Sequence, residues 1–285
     1  MFKPQPGLAL GCVRQMALCA VAAFVLLPIV TLGVIAFDGT LNSARILEFR
    51  WLPRRFSLEP FHIAWTSPAQ NQPFTQFLVN SLLLSGGSAA LVLVGGASMA
   101  YAFARMRFVG RKLGLFALLV GAFLPPVALM VPLYLLLTSL GIRTTLWGLL
   151  ATYTAFALPL AIWNMRAAFQ AVPRELEEAA FLDGAGPFNT FMRVALPMAL
   201  PPILVAGLIA FLGAYTEFAM GWLLLNDPER MTLAMALRNM SGYFASAWNV
   251  LAAFTLLMCA PVIVVFLTLQ NYLLTGLVVD IASDL

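Results

Sequence analysis

The chain has 285 residues, 62% of them hydrophobic and 10% charged, with a formal net charge of +4 and a mean hydropathy of +0.92. A soluble core of this length cannot hide so much apolar surface, so membrane spans of about 20 residues are expected instead. The basic residues are scattered rather than interleaved with aromatics in a block, which argues against nucleic acid as a partner and leaves membrane lipid.

Six apolar runs, at residues 15–37, 77–104, 113–137, 145–165, 197–225 and 250–274, predict an all-α, polytopic membrane protein with six transmembrane helices. The first would make about 34 Å of helix, longer than a signal-peptide core, and no small-residue cleavage site follows it, so it is expected to be retained. An even count puts residues 1–14 and the tail 276–285 on one side, with a long loop, 38–76, on the other. The core is then 77–275, carrying a polar loop at 167–196. With the N-terminus inside, nine Lys and Arg lie inside and seven outside. Four of the seven sit in the long first loop, where the positive-inside rule has less force, so the rule only leans toward that orientation.

The first loop is rich in aromatics and proline (Trp51, Pro53, Phe56, Pro60, Phe61, Trp65) and is expected to be ordered at the membrane surface. Small residues at 85–90 and 95–98 predict close helix packing, on a surface smooth enough for one helix to move against another. Pro125, Pro126, Pro132, Pro159 and Pro261 are expected to interrupt spans three, four and six. Carbonyls freed in that way are tolerated only against protein or a wet cavity, which suits a transport pathway. The compact turn at 105–112 is strongly basic. Cys12, Cys19 and Cys259 are odd in number, form no metal-binding pair and read as small buried hydrophobes.

The most informative stretch is 173–202. Pro173 suits a first helical position, and Glu175, Glu177 and Glu178 would lie in the first turns, where the helix dipole favours acid. Ala179 and Ala180 keep the helix smooth. Asp183, Gly184, Ala185, Gly186 and Pro187 then predict a stop, a turn and a second short helix bearing Phe188, Phe191 and Met192 on one stripe. Read from the residues alone, this helix-turn-helix is either a connector resting on headgroups or a surface gripped by a partner.

The spacing Glu178-Ala179-Ala180, Gly184, Val194, Leu196-Pro197 resembles the signature loop of importer-type ABC permeases. Asn80-Ser81-Leu82, the 100–110 stretch, Thr216-Glu217, residues 223–227, Thr232-Leu233-Ala234 and residues 270–277 are similar to the second permease subunit of maltose-type transporters. The tail after Leu277 departs from the family's usual Gly-Leu-Thr-Ala-Gly-like ending. The resemblance implies the type I importer permease fold in a bacterial or archaeal inner membrane, with both termini cytoplasmic. It implies a second homologous permease chain, two ATP-binding cassette subunits and an extracytoplasmic sugar-binding protein as partners. Glu178, Ala179, Ala180, Asp183, Gly184, Ala185, Leu196 and Pro197 would then form the ATPase-docking loop. The implied cargo is a sugar, maltose or maltodextrin by likeness, with trehalose or glycerol phosphate carried by related permeases.

Nothing in the chain predicts catalysis. Lys3 and Lys112, the two lysines, both lie outside any phosphate-cradling GxxxxGK[ST] loop, so ATP and Mg are expected on partner subunits and no cofactor on this chain. His62 stands alone, without the HExxH pattern of a zinc protease. Glu217 is the one acid well inside a span, where charge is expensive and marks a function or a buried partner. Two readings are open: a pathway residue acting with Tyr215 and Trp222, or a packing residue held by Asn164 or Asn249. A gradient-driven carrier or channel is the competing class. It calls for several coupling acids and internal repeats, and neither is evident here.

Overall fold

The computed structural model describes residues 8–40, 51–243 and 247–283, and expectations for 1–7, 41–50, 244–246 and 284–285 lie outside the described residues. The chain divides into two compact units, Met1–Pro73 with Asn239–Cys259 and Phe74–Arg238 with Ala260–Leu285.

In the first unit, α1 (Leu8–Ala36) is apolar apart from Arg14 and Gln15, and from Cys12 to Val30 every residue is exposed, with Ala36 buried at its end. Two devices tie residues 37–40 to residues 51–61. Phe37 stacks on Phe56 with ring centroids 5.1 Å apart and packs against Phe61 at 4.8 Å. The buried Asp38 carboxylate accepts hydrogen bonds from the Thr40 amide and hydroxyl and from the Arg54 amide, while the Asp38 carbonyl accepts one from Asn249 Nδ2 at 3.1 Å. A short helix α2 (Glu59–Thr66) follows, with Pro60 in its first turn.

In the second unit, α3 (Phe74–Leu91) runs through a π-helical turn (Val92–Gly96) into α4 (Ala97–Arg105), so the second apolar run is one unbroken rod of 32 residues. α5 (Arg111–Phe123) is followed by a 3₁₀ turn (Pro126–Leu129) and α6 (Met130–Ser139). The chain bends by 100° between them. The cause is local: Leu124 and Pro125 each precede a proline, which disfavours helical backbone, and both are extended, with ψ of 124° and 126°. α7 (Leu146–Ala171) starts at Thr145, whose hydroxyl accepts from the Gly148 amide. Next come α8 (Arg174–Leu182), α9 (Pro187–Thr190), a second π turn (Phe191–Ala195) and α10 (Leu196–Met198). α11 (Leu200–Thr216) meets the preceding helical segment at 79°. α12 (Ala219–Leu224), a 3₁₀ turn (Pro228–Arg230), α13 (Leu233–Tyr243) and α14 (Trp248–Ser283) complete the chain. Among the described residues, four helices are long and apolar enough to cross a membrane, or up to six spans if each bent pair counts as one.

Three sequence expectations are corrected. Pro159 and Pro261 lie inside continuous helices, and Pro132 sits in the first turn of α6, where its missing N–H has no helical partner to lose. Only the Pro125-Pro126 pair breaks a span among these. The three cysteines are exposed on the chain rather than buried. Pro173 is the residue before α8 rather than its first member, with extended ψ of 132°.

The core of the second unit forms where α4, α7 and α11 meet, around Tyr101, Ile162, Met165, Phe169, Ile203 and Ala206. The small-residue stretch serves this packing: Ser85, Ser88, Gly96, Ala97 and Ala100 are all buried. Opposite it, a Cβ on Gly207 would lie 2.8 Å from a methyl of Leu93, so α11 packs on the π turn closely enough that any side chain at 207 would have to displace Leu93. The Asn80-Ser81 pair has a specific task. Asn80 Nδ2 donates to the carbonyls of Glu229 (2.7 Å) and Met231 (2.9 Å), and Ser81 Oγ accepts from the Leu233 amide (2.8 Å). Two motifs about 150 residues apart thus close on each other, satisfying backbone groups where the chain turns into α13.

Candidate functional site

The polar loop folds into an elbow: α8, a tight turn, then α9 and the π turn. α8 ends in a complete Schellman motif. The Ala185 amide donates to the Ala180 carbonyl (2.9 Å) and the Gly184 amide to the Phe181 carbonyl (3.0 Å). Gly184 adopts φ +87°, the left-handed region that only glycine enters without steric cost, and open space surrounds the position of a Cβ. The constraint there is conformational, not a matter of room.

Glu178, Ala179, Asp183, Gly184 and Pro197 are exposed, and Ala180, Ala185 and Leu196 are half-buried. Glu178, Ala179, Ala180, Asp183, Gly184 and Ala185 gather at the turn, while Leu196 and Pro197 lie beyond the π turn, at the approach to α11. The same tip exposes large apolar side chains, Leu182 and Phe188 most of all, with Phe181 and Met192 beside them. Bare apolar surface next to acid, on a short rigid turn, is the form a partner-binding knob takes.

The residue that anchors the elbow is one that the sequence placed only among the acids at a helix start. Glu177 is buried on the inner face of α8. Its carboxylate accepts from Arg105 Nε at 2.8 Å and from the Tyr101 hydroxyl at 3.2 Å, and Arg105 Nη2 donates to the Val172 carbonyl at 2.6 Å. The Tyr101 ring also packs on Phe169 (5.4 Å) and on Phe191 of the elbow's second arm (4.8 Å). The last turn of α4 is therefore clamped to both arms of the elbow, by an ion pair on one and an aromatic cluster on the other. The available signal was that Tyr101 and Arg105, four residues apart, share one helix face and present two donors to a single acid.

Glu217 lies at the break between α11 and α12, where its own ψ is 131°. Its carboxylate accepts from the Tyr153 hydroxyl (2.7 Å) and from the amides of Met220 (2.9 Å) and Gly221 (3.3 Å). It caps the start of α12 as an N-cap side chain would, and its partner is Tyr153 rather than Asn164 or Asn249. It also lines a cavity of about 260 Å³ together with Tyr153, Phe156, Asn164 and Met220. Tyr215 is buried, stacked on Phe211, and Trp222 is exposed; neither belongs to that wall. Glu217→Ala is expected to lower stability by about 2 kcal/mol, from the lost cap and the orphaned Tyr153 hydroxyl, and Glu217→Gln by less. Thermal unfolding of the purified protein checks this, and unchanged melting in the Ala variant would rule out the capping role.

A helical membrane protein with broken spans, a side cavity and a rigid polar elbow has the architecture of a permease subunit. The chain belongs to the family described as binding-protein-dependent transport system inner membrane component, whose model matches residues 92–278. It is 32% identical over 237 residues to the probable ABC transporter permease protein YurM of Bacillus subtilis strain 168, covering 83% of this chain and 77% of that one. It is 30% identical over 290 residues to the maltose/maltodextrin transport system permease protein MalG of Escherichia coli K12, covering 97% of each. Among solved structures, a bacterial ABC transporter that imports the acidic polysaccharide alginate matches with a TM-score of 0.75 and 21% identity, over 95% of this chain and 99% of that one. The protein is thus an inner-membrane permease component of an ABC importer.

Proposed function

We propose that this chain is one of two permease subunits of an ATP-driven sugar importer, with neutral glucose oligomers of the maltodextrin type as the first cargo to test. The observation that carries the coupling half of this reading is the elbow: an exposed apolar and acidic tip, stiffened by the Schellman turn at Gly184 and clamped to the end of a long span through Arg105–Glu177. The end-to-end similarity to a maltose/maltodextrin permease supports the cargo. In this reading the termini and the elbow face the cytoplasm. The tip, with Glu178, Ala179, Ala180, Asp183, Gly184 and Ala185, seats in a partner ATPase, and Leu196 and Pro197 turn the chain from the elbow into the membrane. Closure of two ATPase subunits around ATP and Mg would pull the elbow, and the clamp would pass that displacement to α4 and the packed helices behind it. A second permease chain completes the pathway, to which this chain contributes the cavity beside Glu217, and an extracytoplasmic binding protein delivers the sugar.

The test is uptake of labelled maltotriose into proteoliposomes holding the permease pair and the ATPase subunits. Uptake is expected only with ATP and the loaded binding protein together, and is expected to be indifferent to ionophores. Uptake by this chain without ATPase subunits, or uptake that follows an ion gradient, would overturn the proposal.

A further inference from the structure

The turn between α4 and α5 and one side chain of α7 build a site that the elbow does not use. Arg107, Arg111 and Lys112 from the turn and Arg166 from α7 line one cavity of about 670 Å³, with Phe108 and Leu113 in its wall. No acid lines this cavity, and among the described residues no carboxylate pairs with any of these four cations. Two of the four are held in place: Arg111 Nε donates to the Phe103 carbonyl at 3.0 Å, and Arg166 Nε to the same carbonyl at 3.4 Å, with its guanidinium 5.6 Å over the Trp163 ring. Arg107 and Lys112 are exposed. The positive-inside rule accounts for basic residues in a turn of this kind. It does not account for a fourth cation converging on the same hollow from a helix more than 50 residues away.

Like charges around one hollow repel, and an anion seated among them removes that cost. The surroundings decide which anion. Val109 is wholly exposed, and Leu113, Phe116 and Phe108 leave large apolar areas uncovered beside the cations. A small soluble anion gains nothing from that surface, whereas an anionic lipid places its phosphate among the guanidinium groups and its acyl chains along the apolar side. We propose that this cavity is a binding site for the headgroup of an anionic phospholipid such as phosphatidylglycerol.

The test uses the full importer, because Arg111 and Arg166 also hold the end of α4. The informative variant is therefore Arg107→Gln/Lys112→Gln, which removes only exposed cations. The detergent-purified importer is titrated with phosphatidylglycerol or phosphatidylcholine, and retained lipid is counted by mass spectrometry. Phosphatidylglycerol is expected to bind more tightly than phosphatidylcholine. The double variant is expected to weaken it by about 25-fold, about fivefold for each basic residue lost at an anionic surface, and inorganic phosphate is expected not to displace it. Equal retention of the two lipids, or displacement of phosphatidylglycerol by inorganic phosphate, would overturn the lipid site. Loss of the ATPase subunits from the double variant with unchanged lipid retention would mark the patch as a protein interface and would equally overturn it.

Discussion

Gly184→Pro is expected to reduce ATP-driven uptake by about 100-fold or more, the equivalent of about 3 kcal/mol on the coupled step, while the protein still reaches the membrane in normal amount. Gly184 sits at φ +87°. Proline fixes φ near −65° and has no N–H to give to the Phe181 carbonyl, so both bonds of the Schellman turn are lost and the two arms of the elbow lose their fixed angle. A graded series separates this cause from crowding, since nothing lies within 4 Å of a Cβ at this position. Ala should cost about 1–2 kcal/mol for the left-handed backbone alone, and Asn, which tolerates that region, should cost less than Ala. Uptake and ATP turnover measured on the same proteoliposomes check the series. Proline should leave ATP hydrolysis unresponsive to the loaded binding protein, and coupled uptake at the wild-type rate in that variant would remove the elbow from the transmission path.

How much of this was legible in the residues depends on the distance over which each feature is determined. The spans were legible because hydropathy sums over about 20 residues and local errors cancel. The break at Leu124 was legible because two consecutive prolines act on their own neighbours. Pro159 and Pro261 misled because a proline inside a long helix breaks it only if nothing else holds the rod together, and neighbouring helices are not visible in the local sequence. The end of α8 at Gly184 was legible for the same local reason as Leu124. Its anchoring was not: Glu177 reads as one of three acids near a helix start, and its pairing with Arg105 across 72 positions exists only once α4 and α8 have packed. The acid at 217 shows the reverse case. Its expense inside an apolar run was evident, but its capping of α12 depends on a helix break that Thr216-Glu217-Phe218 does not announce.

The Arg105–Glu177 pair gives the second large effect, and the one that tells scaffold from transmission. The two side chains are 10% and 8% exposed. Removing one partner leaves a buried charge uncompensated, at about 3–5 kcal/mol. Glu177→Ala and Arg105→Ala are each expected to lower the melting temperature sharply and to cut uptake. Replacing both, as Arg105→Met/Glu177→Leu, removes the two charges together, and a buried pair exchanged for apolar groups of similar size is often close to neutral in stability. The double variant should therefore melt above either single variant, short of the wild type only by the Tyr101 hydroxyl and Val172 carbonyl left without partners. Its uptake should still lie about tenfold or more below, within the range of an ordinary coupling free energy. The reason is geometric: a carboxylate held by Arg105 Nε and the Tyr101 hydroxyl fixes the distance and angle between α8 and α4, whereas two flexible apolar side chains let the arms slide. If uptake returns along with stability, the pair is only a packing element and force enters the helices elsewhere, through contacts such as Tyr101–Phe191 and the packing of Ala195 and Leu196.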